Sequence, residues 1–306
     1  MIFQKYKAQV DLLLQILPYV GDEEVFALKG GTAINLFIRE LPRLSVDMDL
    51  TYLPFDTRTF AFQNIHDALG RIKETIESAI EGLKVTTVPF NGGTYVKLNC
   101  QYQNAQIKIE VNTTTRGHFL PTRFMQVTDK VQAEFGKFAA INIVSHAELY
   151  GGKICAALDR QHPRDLFDVR LLLDNEGFSK EVRYGFIVGL LSHNKPIHEL
   201  INPILKDQKS AYDSQFSGMT NIEFSYEDYE NTRNQLIKKI NDNLTEEDKK
   251  LIYSFEKGNP DWDKFPFKII KNLPAVQWKL LNINKLIKKN PQKHEQLVKA
   301  LKDVLF

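Results

Sequence analysis

Apolar residues recur along this chain in two periods, and the change between them organises the reading. MIFQKYKAQVDLLLQILPYV sets apolar side chains at helical spacing, broken by Lys5, Lys7 and Asp11, which predicts an amphipathic helix over 3–18. The apolar run Val25–Leu28 ends at Gly30-Gly31 and reads as a strand entering a turn. Ile34, Phe37, Ile38 and Leu41 return to helical spacing after Thr32, predicting a helix over Thr32–Glu40. Asp47–Leu53 alternates, with Met48 and Leu50 on one face of a strand. Phe62, Ile65, Leu69, Ile72 and Ile76 form the stripe of a helix over 58–82. Three more strands are expected at Lys84–Pro89, Tyr95–Gln101 and Gln106–Thr113, the first two joined by a hairpin turn at Asn91-Gly92-Gly93.

From Ser145 onward the period is helical almost throughout. Ser145-His146-Ala147-Glu148 has the form of a capping box, and Pro163 suits the first turn of the following helix. Further helices are expected over 179–192, 222–243, 245–256, 275–289 and 291–305, with polar loops near 206–220 and 257–266. Strands mixed with helices, then helices alone, predict an α+β fold. The division expected is 1–177 for a catalytic domain and 178–306 for a helical C-terminal domain, or one continuous helical half packed on the sheet.

Composition narrows the class. A chain of 306 residues with 43% hydrophobic and 25% charged residues can bury a sizeable core. Its formal charge of +2 neither demands nor excludes a nucleic-acid partner. Cys100 and Cys155 are far apart and in no ligand spacing, which argues against a disulfide scaffold or a zinc site. No run of apolar residues reaches the length of a membrane span, so a cytoplasmic protein with no membrane partner is expected.

The candidate chemistry lies in KGGTAINLFIRELPRLSVDMDL, residues 29–50. On a strand, Asp47 and Asp49 project together while Met48 faces the core. Two neighbouring carboxylates repel unless a cation neutralises them, and Mg²⁺ prefers such oxygen ligands. Alone, this pattern would be a solvated strand face. Before it, however, Gly30-Gly31-Thr32 offers a tight backbone turn and a helix N-terminus suited to phosphates; its plainer reading is a strand-to-helix turn capped by Thr32. On Gln106–Thr113, Glu110 shares the polar face with Lys108 and Asn112, as a third carboxylate or as a solvent-facing one. ELYGGKICAALDRQHPRDLFDV, residues 148–169, puts Asp165 and Asp168 on one helix face, near Lys153, Arg160 and Arg164.

The succession of Gly-Gly-Thr turn and D-x-D strand resembles the polymerase-β-type nucleotidyltransferase superfamily. More narrowly, KGGTAINL followed by Arg43, Ser45, Asp47 and Asp49 resembles the AbiEii and MenT toxins of bacterial toxin–antitoxin and phage-defence operons. The later E-L-x-x-x-K and R-D-x-x-D stretch and PAVQWKLLNI are similar to the same family. The resemblance implies a polymerase-β-like core and transfer of a nucleoside monophosphate from an NTP. It implies Mg²⁺ (or Mn²⁺) on Asp47, Asp49 and Glu110. Nucleotide binding would fall to Gly30, Gly31, Thr32, Ser45, Lys153, Arg164 and Asp165, and Asp168 would assist catalysis with Lys153. It further implies a tRNA 3′ end as acceptor and an AbiEi-type antitoxin partner. A protein hydroxyl as acceptor, or a nucleotide-binding regulatory module without turnover, are the alternatives. No metal spacing is found among the histidines, Trp262 and Trp278 are expected as core anchors, and the lysines of the tail as a solvated face or an RNA-tracking stripe.

Overall fold

In a computed structural model of the chain, residues 2–90 and 93–306 are described, with side chains from Tyr6 onward. Helix α1 (Ile2–Gly21) precedes strand β1 (Phe26–Lys29), the short helix α2 (Gly30–Ala33) and strand β2 (Asp47–Tyr52). Helix α3 (Arg58–Ala79) leads to β3 (Lys84–Pro89), β4 (Tyr95–Tyr102) and β5 (Ala105–Val111). Then come β6 (Arg123–Gln126), α4 (Asp129–Phe135) and β7 (Ala140–Ile143). The strands form a seven-stranded mixed sheet in the order β3-β4-β5-β2-β1-β7-β6. β2 lies antiparallel to β1 and parallel to β5, so its neighbours on both sides are strands that carry candidate residues.

The sheet has two unlike faces because its strands alternate. Met48, Leu50 and Tyr52 on β2 and Ile107, Ile109 and Val111 on β5 are buried, as are Val96, Leu98 and Cys100 on β4. Asp47 and Asp49 point the other way and are half-buried. α1 and α3 pack on the sheet and on each other, and Tyr52 reaches α3 through an Asn64 Nδ2 donor at 2.9 Å.

The remaining helices are α5 (His146–Arg160), α6 (Pro163–Asn175), α7 (Lys180–Ser192), α8 (Ile197–Ile201) and α9 (Lys209–Ala211). After them come α10 (Tyr226–Asn243), α11 (Glu246–Glu256), α12 (Pro274–Lys289) and α13 (Pro291–Leu305). The chain divides into two compact units: residues up to Ser145 with Ser217–Glu223, and His146–Phe216 with Phe224–Phe306. This division falls earlier than the boundary expected near residue 177. The reason is backbone packing: a Cβ on Gly185 of α7 would fall on the Ala147 carbonyl, and one on Gly151 of α5 on the Gly185 backbone. Glycine at both positions lets α5 and α7 cross in direct contact, which ties α5 to the helical unit. α6 follows it, with Phe167 packed on Phe216 and Phe224.

Several expectations change. The helix expected over Thr32–Glu40 is instead α2 followed by a wider π-helical turn over Ile34–Ile38, in which the Arg39 N–H donates to the Ile34 carbonyl at 2.8 Å. Thr32 lies inside α2 and does not cap it. The helix expected from 222 starts at Tyr226, where Ser225 and Asp228 form a reciprocal capping box. β6, α4 and β7 were not expected, since β6 is a largely exposed strand of four residues with no apolar alternation. Trp278 is 48% exposed and anchors no core, whereas Trp262 packs edge-on to Phe255. Strands β3 and β4 pair antiparallel as a hairpin, while Asn91 and Gly92 of its expected turn lie outside the described residues.

Candidate functional site

The first candidate group stands on the polar face of β2 and its neighbours. Pairing sets Lys29 opposite Asp49 across β1, Lys108 opposite Asp47 across β5, and Glu110 opposite Asp49. Directly paired residues share a face, so Asp47, Asp49 and Glu110 are interleaved with Lys29 and Lys108. Lys97 of β4 joins them, its Nζ 2.8 Å from Glu110 Oε2. Sequence reasoning missed Lys29 and Lys97; the period-two pattern of β1 and β4 was the available signal. Glu110 is therefore engaged by a lysine, and its side chain is 50% exposed. The Asp47 carboxylate makes no hydrogen bond or ion pair with the described residues.

The glycine turn is shaped by side chains that crowd it. Gly30 has φ +73°, a conformation that favours glycine, and a Cβ there would fall on the Asp49 carboxylate. A Cβ on Gly31 would lie 2.7 Å from Arg43 Nη2 and 2.9 Å from Ser45 Oγ. Thr32 Oγ1 donates to the Asp47 carbonyl and lies 3.1 Å from Ser45 Oγ. Asn35 Nδ2 donates to the Gly31 carbonyl at 2.8 Å. Gly30, Gly31, Thr32, Ser45, Asp47 and Asp49 thus form one contiguous group. Arg43 is buried against it, its Nη1 donating to the Leu44 carbonyl at 2.9 Å.

This donor set fits a hard divalent cation in part. Asp47 and Asp49 supply oxygen ligands on one face, and the cradle at Gly30 places the Asp49 carboxylate against the turn. No group of three or more His, Cys, Asp and Glu side chains among the described residues is arranged to hold a metal ion. Glu110, turned to Lys97, does not complete such a group.

The second candidate group belongs to the helical unit. Lys153 of α5 is buried with its Nζ 3.0 Å from Asp165 Oδ1 and 2.9 Å from Asp168 Oδ2. Asp165 and Asp168, three apart on α6, do share a face, and Asp168 is 0% exposed. Arg160 Nη2 adds a second cation at 2.8 Å from Asp165 Oδ2. Burial alone would raise the Asp165 pKa, but Lys153 and Arg160 outweigh it and hold the carboxyl below its usual range. Arg164 lies in the first turn of α6, where its N–H donates to His162 Nδ1 at 3.1 Å. His162 caps that helix, and Pro163 occupies the first turn as expected. Lys279, expected on a solvated face, instead buries its ammonium and donates to the Leu190 and Lys195 carbonyls at 2.9 Å. Burial lowers its pKa to about 8.

A glycine turn beside a D-x-D strand on a mixed sheet is the layout of a nucleotidyltransferase, and comparison with known families agrees. The model of the nucleotidyl transferase AbiEii toxin family, of type IV toxin–antitoxin systems, matches residues 11–282. The chain belongs to that family and is a nucleotidyltransferase toxin. Among solved structures it is similar to MenT4, a nucleotidyltransferase toxin from Mycobacterium tuberculosis H37Rv. The TM-score is 0.59 at 14% identity, covering 91% of this chain and 93% of that one, a likeness of fold. No curated protein matches the sequence. No helix among the described residues is long and apolar enough to cross a membrane.

Proposed function

We propose that this toxin is a cytoplasmic enzyme that transfers a nucleoside monophosphate from an NTP to the 3′ end of tRNA, using Mg²⁺ or Mn²⁺. One observation carries the reading: Asp47, without a partner among the described residues, and Asp49 share the face beside the Gly30-Gly31 turn. Asp47 and Asp49 would hold the metal, which when bound neutralises phosphate charge. Gly30, Gly31, Thr32 and Ser45 line the turn that receives the phosphates, and Lys29 and Lys108 supply positive charge beside it. Transfer forms a bond from the acceptor hydroxyl oxygen to the α-phosphorus and breaks the bond to pyrophosphate. The hydroxyl proton passes to a base, for which Glu110 is the carboxylate at hand once freed from Lys97. Lys153, Asp165 and Asp168 serve as the second motif, with Arg164 as a further phosphate contact. An antitoxin of the AbiEi type counters the activity.

The test mixes the protein, Mg²⁺ and each labelled NTP with deacylated total tRNA or with cell protein. Label on tRNA that falls at least about a thousandfold in Asp47→Ala, whose fold stays intact, supports the reading. Label on protein alone, or full activity in Asp47→Ala, sinks the acceptor or the metal assignment respectively.

A further inference from the structure

On the opposite face of the sheet, at the far end of β2, stands a group of cations that the motifs do not include. Arg116 follows β5 in the stretch Asn112–Arg116 and is only 6% exposed. Its Nε and Nη1 are buried and have no hydrogen-bond partner. Its guanidinium carbon lies 5.6 Å from the centre of the Phe62 ring, and that of Arg58 lies 4.8 Å from the same ring. Two cations therefore share one aromatic ring, and neither forms an ion pair with a described carboxylate. Asp56, whose charge reaches Arg116, makes no ion pair with it; its Oδ2 accepts from the Tyr52 hydroxyl at 2.5 Å and from Asn64 Nδ2 at 3.1 Å. Burial first, and then the charge of Arg58, pulls the Arg116 pKa down.

Burying guanidinium nitrogens without hydrogen-bond acceptors is unfavourable. A chain keeps such a group where an anion completes it. A second feature points the same way. Arg58 opens α3, a helix of 22 residues with no acid in its first turn, whose Thr57 side chain makes no capping hydrogen bond. The first-turn N–H groups and the positive end of the helix dipole thus face the same place as the two arginines.

The surroundings identify the anion. Phe55, three residues before Arg58, is tilted against His118, two residues after Arg116, and is 44% exposed. An exposed aromatic ring beside cations is how proteins hold single-stranded nucleic acid, with a base on the ring and phosphates on the charges. This place and the carboxylates lie on different faces of the sheet. Tyr52 points to α3, while Asp47 and Asp49 leave β2 on the other side of the sheet.

We infer that Arg116, Arg58 and the N-terminus of α3 form a phosphodiester-binding subsite for the RNA acceptor, with Phe55 stacking an unpaired base. The inference rests on the RNA-acceptor reading above and adds where the strand is held. The test is fluorescence anisotropy of a labelled single-stranded RNA with the full chain at several salt concentrations, alongside NTP binding. Arg58→Gln and Arg116→Met should each weaken RNA binding about tenfold and flatten the log–log salt dependence by roughly 0.7, one phosphate contact. Phe55→Ala should weaken it about tenfold with the salt dependence unchanged. NTP affinity should stay the same in all three, and Arg116→Met should melt no lower than the parent. RNA bound equally well by parent and arginine variants would remove the subsite and leave the RNA reading standing. Loss of NTP affinity in place of RNA affinity would overturn it as well. No RNA binding by a parent protein that binds NTP would bring down the acceptor reading and the subsite together.

Discussion

The two carboxylate groups of this chain contain the same chemistry and are treated in opposite ways. On β2, Asp47 and Asp49 stand half-buried on an alternating strand, and Asp47 has no partner among the described residues. On α6, Asp165 and Asp168 are sealed against Lys153, and Arg160 reaches Asp165 from the surface. Two carboxylates and two cations make that second group neutral within itself. A buried charge must be balanced by the protein because water cannot do it. A half-exposed pair can leave part of its balance to a ligand. The first group is therefore suited to receiving charge from outside, and the second to holding α5 and α6 in fixed register.

Removing a partner should separate them most sharply. Lys153→Met takes the lysine from two buried carboxylates and leaves Asp165 with Arg160, and stability measured by urea unfolding should fall by about 3–5 kcal/mol. A loss under about 1 kcal/mol would mean that the group is open to water and free to bind a ligand directly. Acid should act next. The Asp165 pKa is held below the usual 3.8, so the stability it contributes is complete above that value. It is lost as the pH falls through the lower folded value. Thermal melts taken from neutral pH downward should show this loss in the parent and a flatter profile in Asp165→Asn; equal profiles would contradict the pairing. The smallest change is expected on the strand. Asp47→Asn should alter stability by no more than about 0.5 kcal/mol, because that carboxylate holds nothing in the fold. A larger loss would show that Asp47 is structural.

Which parts of this were legible beforehand follows from how local each determinant is. The same-face placement of Asp47 and Asp49 needs only the period of a strand, so it was readable at once. So was the pairing of Asp165 with Asp168, three apart on a helix. The Gly30-Gly31 turn was readable as a turn, but its cause was not: the Cβ positions are excluded by Asp49, Arg43 and Ser45, which lie 12 to 19 residues on. Gly151 and Gly185 carried no visible message, since what matters is that α5 meets α7. Lys29 and Lys97 beside the carboxylates were hidden because strand register decides which side chain stands opposite which.

By itself the sequence determined the periods, the turn residues, the order of the motifs and, through them, the family. These depend on neighbours along the chain, whose geometry the backbone imposes. Only the tertiary structure decided which charges are compensated: Glu110 by Lys97, Asp165 and Asp168 by Lys153, and Arg116 by no ion pair among the described residues. Compensation depends on burial and on distances of a few ångströms between residues far apart in sequence, and no local pattern records either.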